Sequence, residues 1–240
     1  TSRTTWSNRR ISSIRATAAA QDGHSKGITA PNPEAQQALI LQALGRARLD
    51  PGCVSYVEAH GTGTAIGDPA ELQVLRRVYG AAPGPVCRLG SVKASAGHLE
   101  AAAGIASLIK TVQVLRHRMV PPQLHFRELP ASVDLGSSRL RIPVRPEPLR
   151  PPGDAPLYAA VSSFGFGGAL AHVILQAADP APEPSAPRPD PHADPHADPQ
   201  AQQQADAALR LLPVSARSER ALQGLTRDLA CHARTAAPGP

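Results

Sequence analysis

Strand-like runs alternate with helix-like segments over the first 178 residues, and this alternation constrains the fold more than any other feature. The strand-like runs are apolar and are followed by glycine, proline or polar residues: 11–19, 54–57, 86–92, 158–163 and 171–176. The helix-like segments carry apolar residues three or four positions apart: 33–48, 69–79 and 99–117. Strands that alternate with helices build sheets whose faces are covered by helices. The sequence therefore predicts an α/β fold.

Local residues predict where two of these helices begin. Asn32 followed by Pro33 is an N-cap with proline at the first helical position. Asp68 and Glu71, on either side of Pro69, match an N-cap and a capping-box acid for the second helix. Both acids are therefore interpreted as structural.

Apolar residues at helical spacing support two of the predicted helices. The set Ala38, Leu41, Leu44 and Leu49 makes 33–48 an amphipathic helix. In the third helix the residues at helical spacing are Ile105, Leu108, Ile109, Val112 and Leu115. Gly104 costs the third helix about 1 kcal/mol relative to alanine, which indicates close packing at that position.

The composition changes abruptly after residue 178. Segment 179–204 is dense in proline and contains a tandem Pro-His-Ala-Asp repeat, so it cannot bury a core and is expected to be a disordered linker. Residues 205–240 regain helical character around Leu222, Leu225 and Leu229. Side chains of the repeat could bind a metal weakly, but a flexible tract preorganises no ligands, and we expect no metal site there. These side chains are His192, Asp194, His196 and Asp198.

Charge and cysteine usage exclude several classes of protein. The formal charge of +6 comes from scattered arginines without a nucleic-acid motif, so nucleic acid is not an expected partner, although a basic face suits an acidic carrier protein. No membrane span or secretory segment is evident. Cys53, Cys87 and Cys231 are widely spaced and odd in number, which favours a reducing cytoplasm.

Two histidine motifs carry the candidate chemistry: His60-Gly61-Thr62-Gly63-Thr64 and Lys93-Ala94-Ser95-Ala96-Gly97-His98. Each is interpreted as the end of a buried strand, where a histidine meets a glycine-rich turn. Two such histidines can converge on one oxygen, and a nearby lysine can tune them. That arrangement suits stabilisation of an enolate or a tetrahedral oxyanion. Taken singly, these histidines would be ordinary buried residues and the lysine a surface residue.

Further motifs follow in a fixed order, with a glycine-rich turn between two apolar strands near residue 166. They are Gln21-Asp-Gly23, Gly27-Ile-Thr-Ala-Pro-Asn32, Gly67-Asp-Pro-Ala-Glu71, Gly90-Ser-Val-Lys93, Ala101-Ala-Ala-Gly104 and Phe164-Gly165-Phe166-Gly167-Gly168. Together with the histidine motifs they make residues 11–178 resemble the C-terminal half of a β-ketoacyl synthase, as found in the ketosynthase domains of modular type I polyketide synthases. Leu212-Pro-Val-Ser-Ala-Arg-Ser218 is similar to the start of the linker between ketosynthase and acyltransferase.

The resemblance implies half of a thiolase-like fold, with a mixed sheet and covering helices. It divides the chain into a ketosynthase part (1–178), the proline-rich linker (179–204) and the start of the ketosynthase–acyltransferase linker region (205–240). The implied activity is acyl transfer by decarboxylative Claisen condensation, in which a malonyl-type extender loses CO2 and its enolate attacks an acyl thioester. No cofactor is expected to bind directly. The substrates arrive on the phosphopantetheine of an acyl carrier protein.

The roles of the family's site residues are assigned to the residues of this chain that match the family's motifs. His60 and His98 are expected to stabilise the extender's enolate, while Lys93 organises the pair and lowers the pKa values of the histidines. The amide of Phe166, in the Phe-Gly loop (residues 164–168), resembles an oxyanion donor facing the acyl-cysteine. Thr62 and Thr64 are candidates for contact with pantetheine, and a turn-stabilising role is an equal alternative.

The sequence departs from the family at several positions. No cysteine has the context of the family's nucleophile, so none is assigned that role. Ala20 and Lys26 stand where asparagine is usual, and Ala169 and Leu170 replace Thr-Asn after the Phe-Gly loop. The last change removes polar groups beside the acyl site, and altered gating of that loop is the expected consequence.

Half of a thiolase-like fold would expose a large apolar face, so we expect the chain to be part of a longer polypeptide or to need its other half. The expected partners are the N-terminal half of the ketosynthase, an acyl carrier protein and an acyltransferase domain, with a homodimer when complete. The chain alone is expected to be inactive. The alternatives are a degenerate remnant without catalysis and a scaffold that pairs with an intact ketosynthase.

Overall fold

The structure is a computed structural model that describes residues 12–23, 31–151, 153, 155–178 and 218–235, and the side chains of the last segment through residue 230. The chain divides into two units, Thr1–Glu183 and Pro184–Pro240. The expected linker at 179–204 and the histidine repeat within it lie outside the described residues. In the second unit the described segment forms a helix, Glu219–Thr235 (α5), and this confirms the helical character expected there.

Within the described residues of the first unit, eight strands form two sheets. They are β1 (Ser12–Gln21), β2 (Val54–Glu58), β3 (Cys87–Gly90), β4 (Met119–Val120), β5 (Leu140–Arg141), β6 (Glu147–Pro148), β7 (Tyr158–Phe164) and β8 (Ala169–Ala177). The main sheet has the order β1-β8-β7-β2-β3-β5, and β4 pairs with β6 in a small second sheet. β1, β8 and β7 are antiparallel neighbours, whereas β7, β2, β3 and β5 run parallel. The predicted α/β architecture with a mixed sheet is confirmed.

The α-helices in the part of this unit that the structure describes are α1 (Pro33–Ala47), α2 (Gly67–Leu75), α3 (Lys93–Ala96) and α4 (Ala103–His117). One π-helical turn, Arg76–Gly80, continues α2, and short 3-10 turns occupy Pro51–Cys53 and Glu100–Ala102. Among the described helices, none is both long enough and apolar enough to cross a bilayer.

The start of α1 is confirmed, and of the apolar set named above Leu44 is among the residues that this helix buries. The Asn32 side chain accepts a hydrogen bond of 3.2 Å from the Ala35 amide, as an N-cap does. The residues that α1 buries are Gln36, Leu39, Ile40, Ala43, Leu44 and Ala47. Ala38 is exposed, and Leu41 is 48% exposed. Apolar residues three or four positions apart occur on two faces of α1. The face that packs on the sheet is the one that carries Leu39 and Ile40.

The third predicted helix packs through its small residues. An added Cβ at Gly104 would lie 3.0 Å from the Ser163 hydroxyl oxygen, so the close packing expected at this glycine is confirmed. The buried positions of α4 include Ser107 and Thr111. The helix predicted from the apolar spacing is confirmed, although two residues of that spacing, Ile105 and Ile109, are 54% and 55% exposed. Small side chains let α4 approach β7 closely, which leaves the isoleucines on the opposite face.

A buried histidine makes stability depend on pH. His172 accepts or donates hydrogen bonds with the Tyr79 hydroxyl at 2.8 Å and the Ser162 hydroxyl at 3.1 Å. Burial lowers the pKa of His172 from 6.5 to about 3. The folded chain therefore excludes a proton that the unfolded chain takes up below pH 6.5.

We expect the free energy of unfolding to fall as the pH is lowered from about 6.5 towards 3, with His172 contributing a slope of about 1.4 kcal/mol per pH unit. Urea titrations at several pH values measure this slope. A His172→Gln variant keeps a polar group that does not titrate. The slope of its free energy of unfolding against pH should be smaller by about 1.4 kcal/mol per pH unit, the contribution of one proton. An equal slope in the variant would show that His172 is not excluded from protonation.

Candidate active site

Three segments of the predicted site leave the same edge of the sheet. β7, β2 and β3 are parallel neighbours, so their carboxyl ends lie together. His60 follows β2, the Phe-Gly loop follows β7, and α3 with His98 follows β3. The topology therefore explains why residues more than a hundred positions apart in sequence meet at one place.

The prediction that each histidine directly ends a strand is right for His60 and wrong for His98. The four-residue helix α3 separates His98 from β3. Gly97 closes this helix with φ of 75°, a left-handed conformation that glycine adopts without steric cost, and the chain then reaches His98. The signal missed in the sequence is the helical potential of Lys93-Ala94-Ser95-Ala96.

The two imidazoles form a close pair. Their ring centroids lie 5.7 Å apart, and the ring planes are nearly perpendicular at 86°. The ring of Phe164 packs beside His60 with a centroid separation of 5.3 Å. The structure thus brings together His60, His98 and the start of the Phe-Gly loop.

Backbone amides fix the tautomers of both rings. The Phe164 amide donates to Nδ1 of His60 at 3.3 Å, and the Glu100 amide donates to Nδ1 of His98 at 2.9 Å. An Nδ1 atom that accepts a hydrogen bond carries no proton, so the neutral ring holds its proton on Nε2. Each imidazole therefore has an Nε2–H group with which to donate a hydrogen bond.

His60 is neutral at pH 7. Burial, followed by the positive charge of Lys93 and the neighbouring His98, lowers the pKa of His60 from 6.5 to about 4. The direction agrees with the prediction for a nearby cation, but burial is the larger cause. The pKa of Lys93 is itself lowered by burial, while the carboxylates of Glu71 and Glu58 act in the opposite direction.

Glu71 does not form a capping box, and this prediction is wrong. Its carboxylate is 4% exposed and accepts from the amides of His60 at 2.8 Å and Gly61 at 2.9 Å. Burial raises the pKa of Glu71 to about 7, and these amide donors oppose that rise. Asp68 accepts from the Gly63 amide at 3.1 Å instead of capping its helix. Both acids hold the turn after His60, because that turn bends back over the start of α2.

Thr64 stabilises the start of α2. Its hydroxyl accepts from the Gly67 amide at 3.1 Å and lies 3.4 Å from the Thr62 hydroxyl. The turn-stabilising role considered for these threonines therefore has a direct contact at Thr64. Both side chains also line the cavity described below, so contact with pantetheine stays a prediction.

The Phe-Gly loop is held from its own ends and from β1. Gly168 donates to the Gly165 carbonyl at 3.0 Å, and its own carbonyl accepts from the Asp22 amide at 2.8 Å. The Gln21 side chain donates to the Gly167 carbonyl at 2.8 Å. Phe166 is 75% exposed at the tip of the loop. The backbone of the loop is thus fixed while its aromatic tip projects outward.

Both histidines line a cavity of about 1030 Å³. Its lining includes His60, His98, Thr62, Thr64, Phe164 and Phe166. Lys93 does not line it, although its charge reaches His60. Cys53 and Cys87 do not line it either, and burial raises the pKa of the Cys87 thiol to about 12. Within the described ranges no cluster of three His, Cys, Asp or Glu residues could hold a metal ion.

A buried polar group next to this site was not predicted from the sequence. The Glu58 carboxylate, fully buried at the end of β2, accepts from the Tyr56 hydroxyl, the Val92 amide and the Lys110 ammonium. Taken one at a time, Glu58 and its partners have no feature in sequence that distinguishes them from other strand or helix residues. The available signal was the charged residue Glu58, which directly follows the apolar run 54–57, because a buried charge requires partners.

Comparisons with known proteins agree with this architecture. The family model for the β-ketoacyl synthase C-terminal domain matches residues 11–127. The model for the ketoacyl-synthetase C-terminal extension matches residues 131–238. The chain is 47% identical over 163 residues to a phenolphthiocerol/phthiocerol polyketide synthase of Mycobacterium tuberculosis, a match of 68% of this chain and 10% of that protein. It is 49% identical over 174 residues to the polyketide synthase GfsE of Streptomyces halstedii, covering 70% of this chain and 4% of that protein.

The chain is also similar to solved structures of polyketide synthase ketosynthases. The oxazolomycin ketosynthase domain OzmH KS7 of Streptomyces albus JA3453 has a TM-score of 0.68 at 41% identity, covering 73% of this chain and 32% of that one. The ketosynthase from module 6 of the bacillaene synthase of Bacillus subtilis 168 has a TM-score of 0.67 at 35% identity, covering 70% of this chain and 30% of that one.

The chain spans a tenth or less of these two curated relatives and about a third of the two solved ketosynthases. Because these structures are ketosynthases, the predicted C-terminal half of a thiolase-like fold is confirmed. The chain therefore belongs to the β-ketoacyl synthase family, and it carries the C-terminal domain and C-terminal extension of a polyketide synthase ketosynthase.

Proposed function

We propose that this chain supplies the extender-activating part of a ketosynthase that performs decarboxylative Claisen condensation. The observation that carries the proposal is the paired geometry of His60 and His98. Their rings lie 5.7 Å apart, and both have Nδ1 occupied by a backbone amide. Two Nε2–H donors are then free to bind one oxygen at the mouth of a cavity large enough for a thioester arm.

In the proposed reaction the two Nε2–H groups bind the thioester carbonyl oxygen of a malonyl-type extender. The bond between C2 and the carboxylate breaks, CO2 leaves, and the electron pair forms an enolate whose oxygen both imidazoles stabilise. C2 then attacks the carbonyl carbon of an acyl thioester, and the thiolate of that thioester leaves. The donors are most useful where negative charge develops, so they favour the transition state over the bound extender.

Other residues support this chemistry. Lys93 places a positive charge near the pair, which helps to keep His60 neutral and donating at pH 7. The amide of Phe166 is proposed to bind the oxygen of the attacked acyl thioester, and Thr62 and Thr64 are proposed to border the pantetheine arm. The cavity lining that these residues share with the histidines supports this division of roles.

The remaining parts of the reaction are proposed to come from partners. The acylated cysteine belongs to the N-terminal half of a ketosynthase, and an acyl carrier protein delivers both substrates on phosphopantetheine. An acyltransferase domain loads the carrier, and the complete ketosynthase is a homodimer. The exposed isoleucines of α4 support a missing half, because this face is apolar and uncovered in the described structure.

A degenerate remnant is the second candidate, and the residues after the Phe-Gly loop favour it. Ala169 and Leu170 bring no polar group to the acyl site, and Leu170 is 3% exposed within the core. The contacts from Gln21 and Asp22 nevertheless hold the loop from outside. Loss of the two polar side chains therefore does not by itself remove the loop's anchorage.

A reconstitution assay tests the proposal. The chain is co-expressed with the N-terminal half of a modular ketosynthase, and CO2 release from a malonyl carrier protein is measured together with chain elongation. We expect neither activity from the chain alone and both from the assembled pair. Elongation by the chain alone would contradict the division of roles. A stable assembly without CO2 release would favour the remnant.

A further inference from the structure

A buried carboxylate, two residues before His60 in sequence, joins β2, α4 and the start of α3. Glu58 lies at the end of β2, two residues before His60, and its side chain is fully buried. One carboxylate oxygen accepts from the Val92 amide, where α3 begins. The other accepts from the Tyr56 hydroxyl of the same strand and from Lys110 of α4, at 2.8 Å from Nζ.

The surroundings are arranged around this charge. The Lys110 ammonium lies 5.9 Å from the centroid of the Tyr56 ring, and its side chain is only 18% exposed. Burial and the adjacent Glu58 carboxylate raise the pKa of Tyr56 well above its usual range, so the phenol stays protonated and donates. A Cβ at Gly90 would lie 2.7 Å from the Tyr56 hydroxyl and 3.1 Å from Nζ of Lys110. Glycine at position 90 leaves the space that these two donors occupy.

The contact at Val92 reaches the site through a short rigid path. The Ala96 amide donates to the Val92 carbonyl at 3.0 Å, and the Gly97 amide donates to the Lys93 carbonyl at 2.9 Å. Fixing Val92, the residue that precedes α3, therefore fixes the helix that carries Lys93 and leads to His98. The carboxylates of Glu71 and Glu58 also oppose the lowering of the Lys93 pKa. Glu58 therefore both holds the backbone amide of Val92, next to Lys93, and stabilises the charge of the Lys93 ammonium.

We propose that Glu58, held by Lys110 and Tyr56, is a positioning residue that fixes the α3 turn and thereby the placement of Lys93 and His98 opposite His60. The catalytic consequence rests on the proposed function, whereas the positioning itself does not. Glu58 touches no substrate in this scheme. It acts through the Val92 amide, and Lys110 keeps its carboxylate paired and correctly oriented.

Hydrogen exchange on the full chain tests the positioning. We expect Glu58→Gln and Lys110→Met to raise the exchange rate of the amides at 92–97 about tenfold or more, while amides of α1 exchange as before. Lys110→Arg should retain protection, because a guanidinium can still pair with the carboxylate. Glu147→Gln is the matched control: it breaks the Arg88–Glu147 ion pair, 2.8 Å long, which does not touch α3.

Kinetics of the reconstituted ketosynthase test the consequence. In Glu58→Gln and Lys110→Met we expect kcat for CO2 release to fall roughly 10- to 100-fold with little change in KM, since misplacement affects the transition state more than binding. Lys110→Arg and Glu147→Gln should stay within about twofold of the parent.

Several results would overturn the inference. Unchanged protection at 92–97 in both disrupting variants would do so, as would equal loss of protection in α1, which indicates general destabilisation. If Glu58→Gln does not fold, the comparison of Lys110→Met with Lys110→Arg decides the same point. If the parent assembly releases no CO2, the proposed function fails, and the exchange data still judge the positioning.

Discussion

Replacing His98 with alanine is expected to slow CO2 release by the reconstituted ketosynthase about 100- to 1000-fold, the usual cost of one oxyanion donor. The variant keeps His60, whose Nε2–H group would then face the enolate oxygen alone. His98 lies on an exposed turn and makes one described hydrogen bond, from Glu100, so the fold should survive the change. Release of labelled CO2 from a malonyl carrier protein gives the rate directly.

A matched control separates this effect from general loss of a histidine. His117 is exposed in the last turn of α4 and does not line the cavity. His117→Ala should therefore retain the parent rate within about twofold, because surface substitutions usually have small effects. A His98→Ala assembly that kept more than about a tenth of the parent rate would show that His98 is not a donor to the enolate.

Replacing Ile105 and Ile109 together with glutamate is expected to weaken association with an N-terminal ketosynthase half by roughly 100- to 10,000-fold. Each isoleucine that becomes buried contributes about 1.5–3 kcal/mol, and two of them account for that range. The carboxylates would add an uncompensated desolvation cost. Both side chains are more than half exposed and one helical turn apart, so the chain's own core should be little affected. Co-purification and titration calorimetry measure the loss.

Val144 supplies the control for this experiment. It is 68% exposed and lies between β5 and β6, far in sequence from α4. Val144→Glu adds the same charge to an exposed apolar site without changing the α4 face. Normal binding by the double isoleucine variant would place the partner on another surface.

The order of elements was predictable because each leaves a local signature. Asn32 before Pro33 marks a helix start whatever packs around it, and the apolar runs at 158–163 and 171–176 flank a glycine-rich turn as a hairpin does. The candidate site could be proposed for the same reason, since the motif at His60 and the motif at His98 both follow strands in sequence. Their convergence then depends on a parallel pairing of β2 with β3 and β7.

Burial could not be predicted from spacing alone. The apolar stripe of α4 has perfect helical spacing, yet Ile105 and Ile109 face away from the sheet because Gly104 and Ser107 allow the closer contact. A stripe shows that a face is apolar and does not show which neighbour covers it. In α1, likewise, Leu41 belongs to the apolar set and is 48% exposed.

The roles of the acidic residues were equally hidden. Asp68 and Glu71 fit a capping pattern in sequence, but a carboxylate chooses the nearest unpaired amides in space, and for Glu71 these belong to His60 and Gly61. Glu58 finds its partners 34 and 52 positions away, at Val92 and Lys110. Long-range contacts of this kind depend on the sheet order, which local patterns do not contain.

The most direct test of the account is a crystal structure of the assembled ketosynthase with a malonyl thioester analogue that cannot lose CO2. We expect the thioester oxygen to lie within about 2.7–3.2 Å of Nε2 of both His60 and His98, with each Nδ1 still accepting a backbone amide. An oxygen bound by neither imidazole, or rings turned so that Nε2 points away from the cavity, would contradict the proposed enolate site.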